Sequence, residues 1–240
     1  MDHMEDRRPI YRRLRDQIAT EIAKNTWRPG EAIPSEMEFA TKYQISVGTV
    51  RRAIDLLVIE GFVERRSGSG MFVRRPDFNT SFIRFTRVWG SAGDRRVPQS
   101  LIYEREMLPG PHKVISALNL KEGSQVIRLL RLRIFEGIPI IHEEIWLDAA
   151  RFAKVLTMAE DQPRLLYPIY ESLCGAIVAR AEEAITIDVA DGTDMKLLGL
   201  ATGASVVAVE RLSSGYDDCP IELRYSRSPA ADFHYKVDLR

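Results

Sequence analysis

Cysteine is scarce in this 240-residue chain: Cys174 and Cys219 stand far apart, in neither CxxC nor Cys/His ligand spacing. That excludes a disulfide framework and a cysteine-built metal centre, and it fits a reducing cytoplasm. Cys174 reads as a small core residue rather than a nucleophile. Histidine is sparse too, with four in the chain, and His112 and His234 lack a partner at ligand spacing. His142-Glu143-Glu144 has the composition of a ligand set, but strand alternation sends adjacent side chains to opposite faces. No apolar run approaches the roughly 20 residues that span a bilayer, so no membrane partner is expected. The polar, partly acidic start MDHMEDRR is neither a secretory signal nor a transit peptide. Phosphate-binding glycine loops, nucleophile elbows and dinucleotide fingerprints are missing, as are repeats and low-complexity stretches. Ser67-Gly68-Ser69-Gly70 lacks the lysine of a P-loop. No metal and no cofactor is expected. What remains is an ordinary globular composition, 45% hydrophobic and 28% charged, long enough for two domains.

Residues 35 to 61 are the most informative stretch present. Ser35 followed by Glu38 is a capping box that opens one helix. A break at Gln44 and Ile45 precedes Ser46, which caps a second helix, and Gly61 suits its left-handed C′ position. The second helix places Val50, Ile54 and Leu57 on one face, leaving Val47, Gly48, Arg51, Arg52 and Asp55 outward. Small residues and paired arginines at the start of a short, stiffly held helix suit the DNA major groove.

Net charge is zero, 34 Lys/Arg against 34 Asp/Glu, which at first argues against nucleic acid. The distribution corrects that: residues 1–76 hold 14 basic and 11 acidic residues, and the rest carries the opposite imbalance. Arg7, Arg8, Arg12, Arg13 and Arg15 cluster at the first helix; Arg65, Arg66, Arg74 and Arg75 flank a later hairpin. Any one of them is explained as a solvated surface residue; as a cluster beside the helix pair they fit phosphate contacts. Pro9 can take the first helical position, and Ile10, Leu14, Ile18 and Ile22 form one apolar stripe ending near Asn25. Phe62–Arg66, the loop Ser67–Gly70 and Met71–Val73 read as strand, loop, strand: a hairpin whose tip glycines allow close approach to a phosphate or the minor-groove floor.

The pattern PIYRRLRDQI…PGEAIPSE…ISVGTVRRAIDLLVIEGFVERRSGSGMFV resembles the winged helix-turn-helix of the GntR family of bacterial transcription regulators, over about residues 9 to 74. Pro-Ser-Glu, Thr-Val-Arg, the Glu-Gly corner and the Gly-x-Gly wing occur in order. The resemblance implies DNA contacts by Arg8, Tyr11, Ser35, Met37, Ser46, Val47, Thr49, Arg51, Arg52, Arg66, Ser67, Gly68, Ser69 and Gly70. Two positions depart from the family: Met37 and Val47 stand where arginines are common. Valine can pack on a thymine methyl, and Arg51 can take guanine O6 and N7 as a bidentate donor, which makes Arg51 the main polar reader and shifts the expected operator.

Beyond a proline-bearing polar linker the chain turns strand-rich. Segments 100–107, 125–135, 139–147, 177–187, 205–214 and 221–227 read as strands, with Glu136-Gly137 as a hairpin turn and helices near 112–118, 151–157, 164–174 and 191–199. Strands joined by hairpins with a few helices imply an antiparallel α+β domain. The expected organisation is residues 1–75 as the winged helix-turn-helix, 76–84 as linker and 85–240 as a sensing and dimerisation domain.

This second half resembles the UTRA ligand-sensing domain of HutC-type GntR regulators, similar in fold to chorismate lyase. The residues carrying the resemblance are Arg131-Leu132-Arg133, Gly137-Ile138-Pro139, Glu143, Leu166-Tyr167, Pro220-Ile221-Glu222, Ser226 and Asp232. It implies an effector site with Phe85, Thr86, Arg131, Arg133, Glu143, Tyr167 and Glu222, and a homodimer. From the residues alone, Arg131 and Arg133 share a strand face and fit two readings: an anion clamp opposite Glu143 and Glu222, or a solvated face with cross-strand ion pairs. The resemblance favours the clamp, for an anionic, hydroxylated or zwitterionic metabolite. Leu165 stands where the family's amino-sugar sensors carry serine, which argues against a phosphosugar.

The leading expectation is a homodimeric repressor whose affinity for a palindromic double-stranded operator is set by a small-molecule effector. An enzyme on the lyase-like fold, fused to a DNA-binding module, is the alternative; the lack of an acid–base or nucleophile constellation weighs against it. A third reading makes the winged helix a protein-interaction module.

Overall fold

The computed structural model describes residues 8–75, 98–158 and 165–233, and the chain divides into two compact units between residues 76 and 77. The expected linker, 76–84, lies outside the described residues.

In the first unit, α1 (Ile10–Ala23) begins after Pro9, which sits at the N-cap rather than inside the first turn. Its buried stripe is Leu14, Ile18 and Ile22 with Ala19; Ile10, expected on that stripe, is 50% exposed because the first turn projects past the core. The chain then forms β1 (Ala32–Ile33), α2 (Glu36–Tyr43), α3 (Val47–Ile59), β2 (Val63–Arg66) and β3 (Gly70–Val73). Both halves of the capping box are present: the Glu38 amide donates to Ser35 Oγ, and the Ser35 amide to the Glu38 carboxylate. Gln44 ends α2 in the left-handed region, and the Thr49 amide donates to Ser46 Oγ at 3.2 Å to open α3.

Helix α3 buries Val50, Ala53, Ile54 and Leu57, packing chiefly on α1. Phe39 of α2 is fully buried and meets Trp27 edge-on. Gly61 takes a φ of +78°, the left-handed position expected of it. Strands β2 and β3 pair from Val63↔Val73 to Arg66↔Gly70, so the wing tip is Ser67–Ser69. β1 adds a third strand on β3. Two residues carry no readable alternation, so this strand was not expected.

The second unit is built on one antiparallel sheet of order β4-β5-β6-β9-β8-β7. Its strands are β4 (Gln99–Pro109), β5 (Gln125–Phe135), β6 (Ile138–Asp148), β7 (Arg180–Val189), β8 (Ser205–Ser214) and β9 (Pro220–Pro229). Helices α4 (His112–Ala117), α5 (Ala149–Phe152), α6 (Leu166–Cys174) and α7 (Gly192–Leu198) lie between them, with a 3-10 turn over Ala153–Thr157. Glu136 and Gly137 both take positive φ, as a two-residue type I′ turn requires.

One end of one sheet face is apolar. Ile127, Leu129, Ile145 and Leu147 pack against Phe152, Val155, Ile169 and Tyr170. On the other face α4 lays Val114, Ile115 and Leu118 over Val126, Trp146 and Leu223. Continuing along the first face, the register runs from Leu129↔Ile145 to Arg131↔Glu143 and Arg133↔Ile141. The same side of the sheet therefore passes from hydrocarbon to charge within two residues.

Substituting Ser46→Ala is expected to lower the stability of the first unit by about 1 kcal/mol through loss of the cap. A reduced urea midpoint with an unchanged slope checks it.

Candidate nucleic-acid interface and effector site

Val47, Gly48, Arg51 and Arg52 are exposed on α3, while Val50, Ala53, Ile54 and Leu57 are buried. Met37, at the start of α2, is 73% exposed. Ser35 and Ser46 are spent as N-caps, and the Ser46 and Thr49 hydroxyls lie 2.9 Å apart. Arg51 donates through Nε to Glu36 at 2.9 Å; Arg65 donates to the other Glu36 oxygen at 3.2 Å and to Asp55 at 2.7 Å. The starts of α2 and α3 and the wing strand β2 are thus tied by one carboxylate.

In the wing, Arg66 lies 4.1 Å over the Phe72 ring and donates to Glu64; Ser67, Gly68, Ser69 and Gly70 are exposed at the tip. Just before α1, Arg8 is exposed and pairs with Asp16 at 2.6 Å; on α1, Tyr11 is half-buried. Arg15, expected among the phosphate contacts, instead turns to Glu60 and Asp16 and lies over Phe62. Two neighbouring acids and a ring hold it inward.

In the sheet unit the solvated-face reading of Arg131 and Arg133 is overturned: they are 1% and 0% exposed. Burial leaves a guanidinium costly unless it is compensated, and the compensation is visible. Arg131 Nε donates to Glu143 at 2.6 Å, and Arg224 reaches the other Glu143 oxygen at 3.4 Å. Arg224 also donates to Glu222 at 2.7 Å and lies over the Tyr167 ring. Glu222 accepts from Tyr170 at 2.6 Å and from Tyr167 at 3.4 Å. Tyr167 lies 2.9 Å from Ser213 Oγ and accepts from Arg211, which is bound to Glu183. The structure brings together Arg131, Arg133, Glu143, Tyr167 and Glu222. Phe85 and Thr86 lie outside the described residues. Glu222 stands near the start of β9, which begins at Pro220.

Arg211, Arg224, Tyr170 and Ser226 were missed. The signal was available for two of them, since Arg224 and Ser226 follow Glu222 at the two-residue spacing that keeps side chains on one face. Glu143, Arg211, Arg224, Ser226 and Ser228, with Ile141 and Val209, line a recess of about 410 Å³ that includes its open mouth. Leu165 sits at the N-cap of α6 and makes no capping hydrogen bond.

The electrostatics of the group are one-sided. Burial alone would raise the Glu143 carboxyl, but Arg131, Arg224 and Arg133 hold it down at about 2. Burial, with Arg131 and Arg224 nearby, pulls Arg133 down to about 9. Burial and Glu222 push the Tyr170 phenol well above its ordinary range, so it remains a donor. Arg131, Arg133, Arg211 and Arg224 outnumber Glu143, Glu222 and Glu183. Arg131 Nη1 and Arg224 Nε have no hydrogen-bond partner. The arrangement is able to hold an anion.

Glu143 and its neighbours His142 and Glu144 divide between the two faces as alternation requires; His142 faces Tyr103 at 3.0 Å. Among the described residues no group of His, Cys, Asp and Glu could hold a metal, and no helix is long and apolar enough to cross a membrane. Cys174 packs against the core, and burial pushes its thiol up, away from the thiolate a nucleophile needs.

Comparison with known proteins assigns a family to each of the two units. Residues 94–234 match the UTRA domain family, and residues 10–73 match the bacterial regulatory proteins of the gntR family. The chain is 26% identical to the mannosyl-D-glycerate transport/metabolism system repressor MngR of Escherichia coli (strain K12), over 97% of this chain and 95% of that protein. It is 27% identical to the HTH-type transcriptional repressor NagR of Bacillus subtilis (strain 168), over 85% of this chain and 83% of that one. Among solved structures, the ligand-binding domain of a GntR-family regulator from Bordetella bronchiseptica is 28% identical with a TM-score of 0.56, covering 62% of this chain and 93% of that one. PhnF from Mycobacterium smegmatis, 23% identical, shares the fold over 94% of this chain and 98% of its own, with a TM-score of 0.57.

Glu143→Gln removes the central anion of the buried cluster and is expected to cost roughly 3–5 kcal/mol near neutral pH. With the folded carboxyl at about 2 against an ordinary 4.5, its stabilisation is complete above 4.5 and fades as pH falls toward 2. Urea titrations across that window should show the pH dependence flattened in the variant.

Proposed function

Because the chain belongs to the gntR family of bacterial regulatory proteins and carries a UTRA domain, we propose that it is a cytoplasmic homodimeric repressor released from or recruited to a palindromic operator by a small anionic metabolite. The family is one of DNA-binding transcriptional regulators with small-molecule effectors, not of enzymes.

The observation that carries the DNA half is the outward face of α3, with Val47, Arg51 and Arg52 exposed over a buried row of Val50, Ile54 and Leu57. Arg51 reads guanine, Val47 packs on a thymine methyl, and Arg8, Tyr11, Arg52, Arg66 and the wing take phosphates and the minor groove. Two copies would place these helices on half-sites about one helical turn apart. The repressor sense follows the names of MngR and NagR.

For the effector half, the carrying observation is the excess of buried guanidiniums over carboxylates around Arg131, Arg133 and Arg224. A bound carboxylate or comparable anion balances that excess, while Tyr167, Ser226 and Glu143 supply polar partners for hydroxyl or amino groups. The effector shifts operator affinity only by its difference in affinity for the two conformations of the dimer.

Arg51→Ala should reduce the ratio of specific to non-specific DNA affinity by about 1–3 kcal/mol, measured by titration of operator and random duplexes at one salt concentration. An unchanged ratio removes Arg51 as the base reader. A thermal-shift screen of small metabolites should return anions whose stabilisation disappears in Arg131→Met. Hits that are all neutral would contradict the anionic assignment.

A further inference from the structure

Glu36 is an acid placed where DNA phosphates are expected, and its contacts give it a purpose beyond helix charge. Both of its oxygens are engaged, Oε2 by Arg51 Nε at 2.9 Å and Oε1 by Arg65 Nη2 at 3.2 Å. Its side chain is 20% exposed, while that of Arg51 is 62% exposed. A pair this open to water adds little to stability, so fold maintenance does not explain it. Holding Arg51 by Nε leaves the two terminal nitrogens for an end-on bidentate contact, the geometry that reads guanine. An unrestrained arginine would have to be ordered at the moment of binding. Arg65 adds a second anchor, since Asp55 on α3 also holds it at 2.7 Å. The aim of the reading arginine is thereby locked to the wing strand.

We propose that Glu36 is a positioning and specificity-determining residue: it presets Arg51 for base reading and, through its charge, weakens binding to DNA that offers Arg51 no base. The two effects share one cause. On a non-specific duplex the Arg51–Glu36 pair persists and the carboxylate repels phosphates; on the operator, Arg51's terminal nitrogens add contacts that outweigh that repulsion. This rests on Arg51 being the base reader.

The test is a double-mutant cycle in the full-length protein, with Glu36→Gln, Arg51→Ala and their combination. The probes are a duplex selected by the wild-type protein from a random library and poly(dI-dC). Glu36→Gln is expected to raise affinity for poly(dI-dC) while the specific-to-non-specific ratio falls about tenfold. In the Arg51→Ala background the substitution should leave the ratio where Arg51→Ala has put it. Glu36→Asp keeps the charge but shortens the reach, and should lower the ratio without raising non-specific affinity.

If Arg51→Ala leaves the ratio unchanged, the base-reader premise fails. If Arg51→Ala lowers it and Glu36→Gln does not, the positioning role fails alone. An equal loss in both backgrounds means Glu36 contacts a base itself, and that also overturns the proposal. A fall in both affinities with a lowered thermal midpoint marks a merely structural role. Should Glu36→Gln not fold, Glu36→Asp carries the test, an unchanged ratio refuting the proposal.

Discussion

Four guanidiniums held in or against the interior of one sheet are the constraint around which the second unit is organised. A buried charge without a partner is among the most costly things a fold can contain. Arg131 and Arg224 therefore converge on Glu143, Arg224 also on Glu222, and Tyr170 turns its hydroxyl to Glu222 from a helix on the same face. The sheet order follows suit: β9 lies between β6 and β8, which is what brings Glu222 and Arg224 beside Glu143 and Arg211. Such a cluster adds little net stability compared with a hydrocarbon core of the same size. The excess of fixed, desolvated cations is the feature on which the proposed anion site rests.

The first unit solves a different problem. It is small, so its helices rely on caps and on a narrow shared core: Ser35, Ser46 and Gly61 define the ends, and Phe39, Ile54 and Leu57 fill the centre. That frees the outer surface of α3 for recognition. The charges there are not simply an arginine-rich field. Arg51, Arg65, Glu36 and Asp55 form a network of alternating charge, Arg15 is drawn onto two acids and a ring, and Arg66 onto one acid and a ring.

Much of this was legible beforehand. The six strands of the sheet unit and its helices were readable as alternation and punctuation, and the hairpin at Glu136-Gly137 announced itself by composition. The positions that escaped were short or non-local. β1 is two residues long and exists only because β3 offers it an edge. Ile10 follows the apolar period but has no core beneath it. Arg211 and Tyr170 belong to strand and helix segments that look ordinary until Arg211 meets Glu183 and Tyr167, and Tyr170 meets Glu222, all distant in sequence. The choice between a solvated and a buried Arg131 also lay outside the local pattern, since an arginine on a strand has the same alternation in either case.

What the sequence determined by itself was everything governed by near neighbours. Caps, helix periodicity, turn residues and strand alternation depend on residues a few positions apart, and these set the helix-turn-helix, the wing and the antiparallel second half. Tertiary structure decided which charges share a carboxylate. Glu36 joins Arg51 and Arg65 across three elements, and Glu143 joins Arg131 and Arg224 across three strands. Those partners are chosen by strand register and helix packing, and the energy of burying a charge depends on the partner it finds rather than on the residues beside it in the chain.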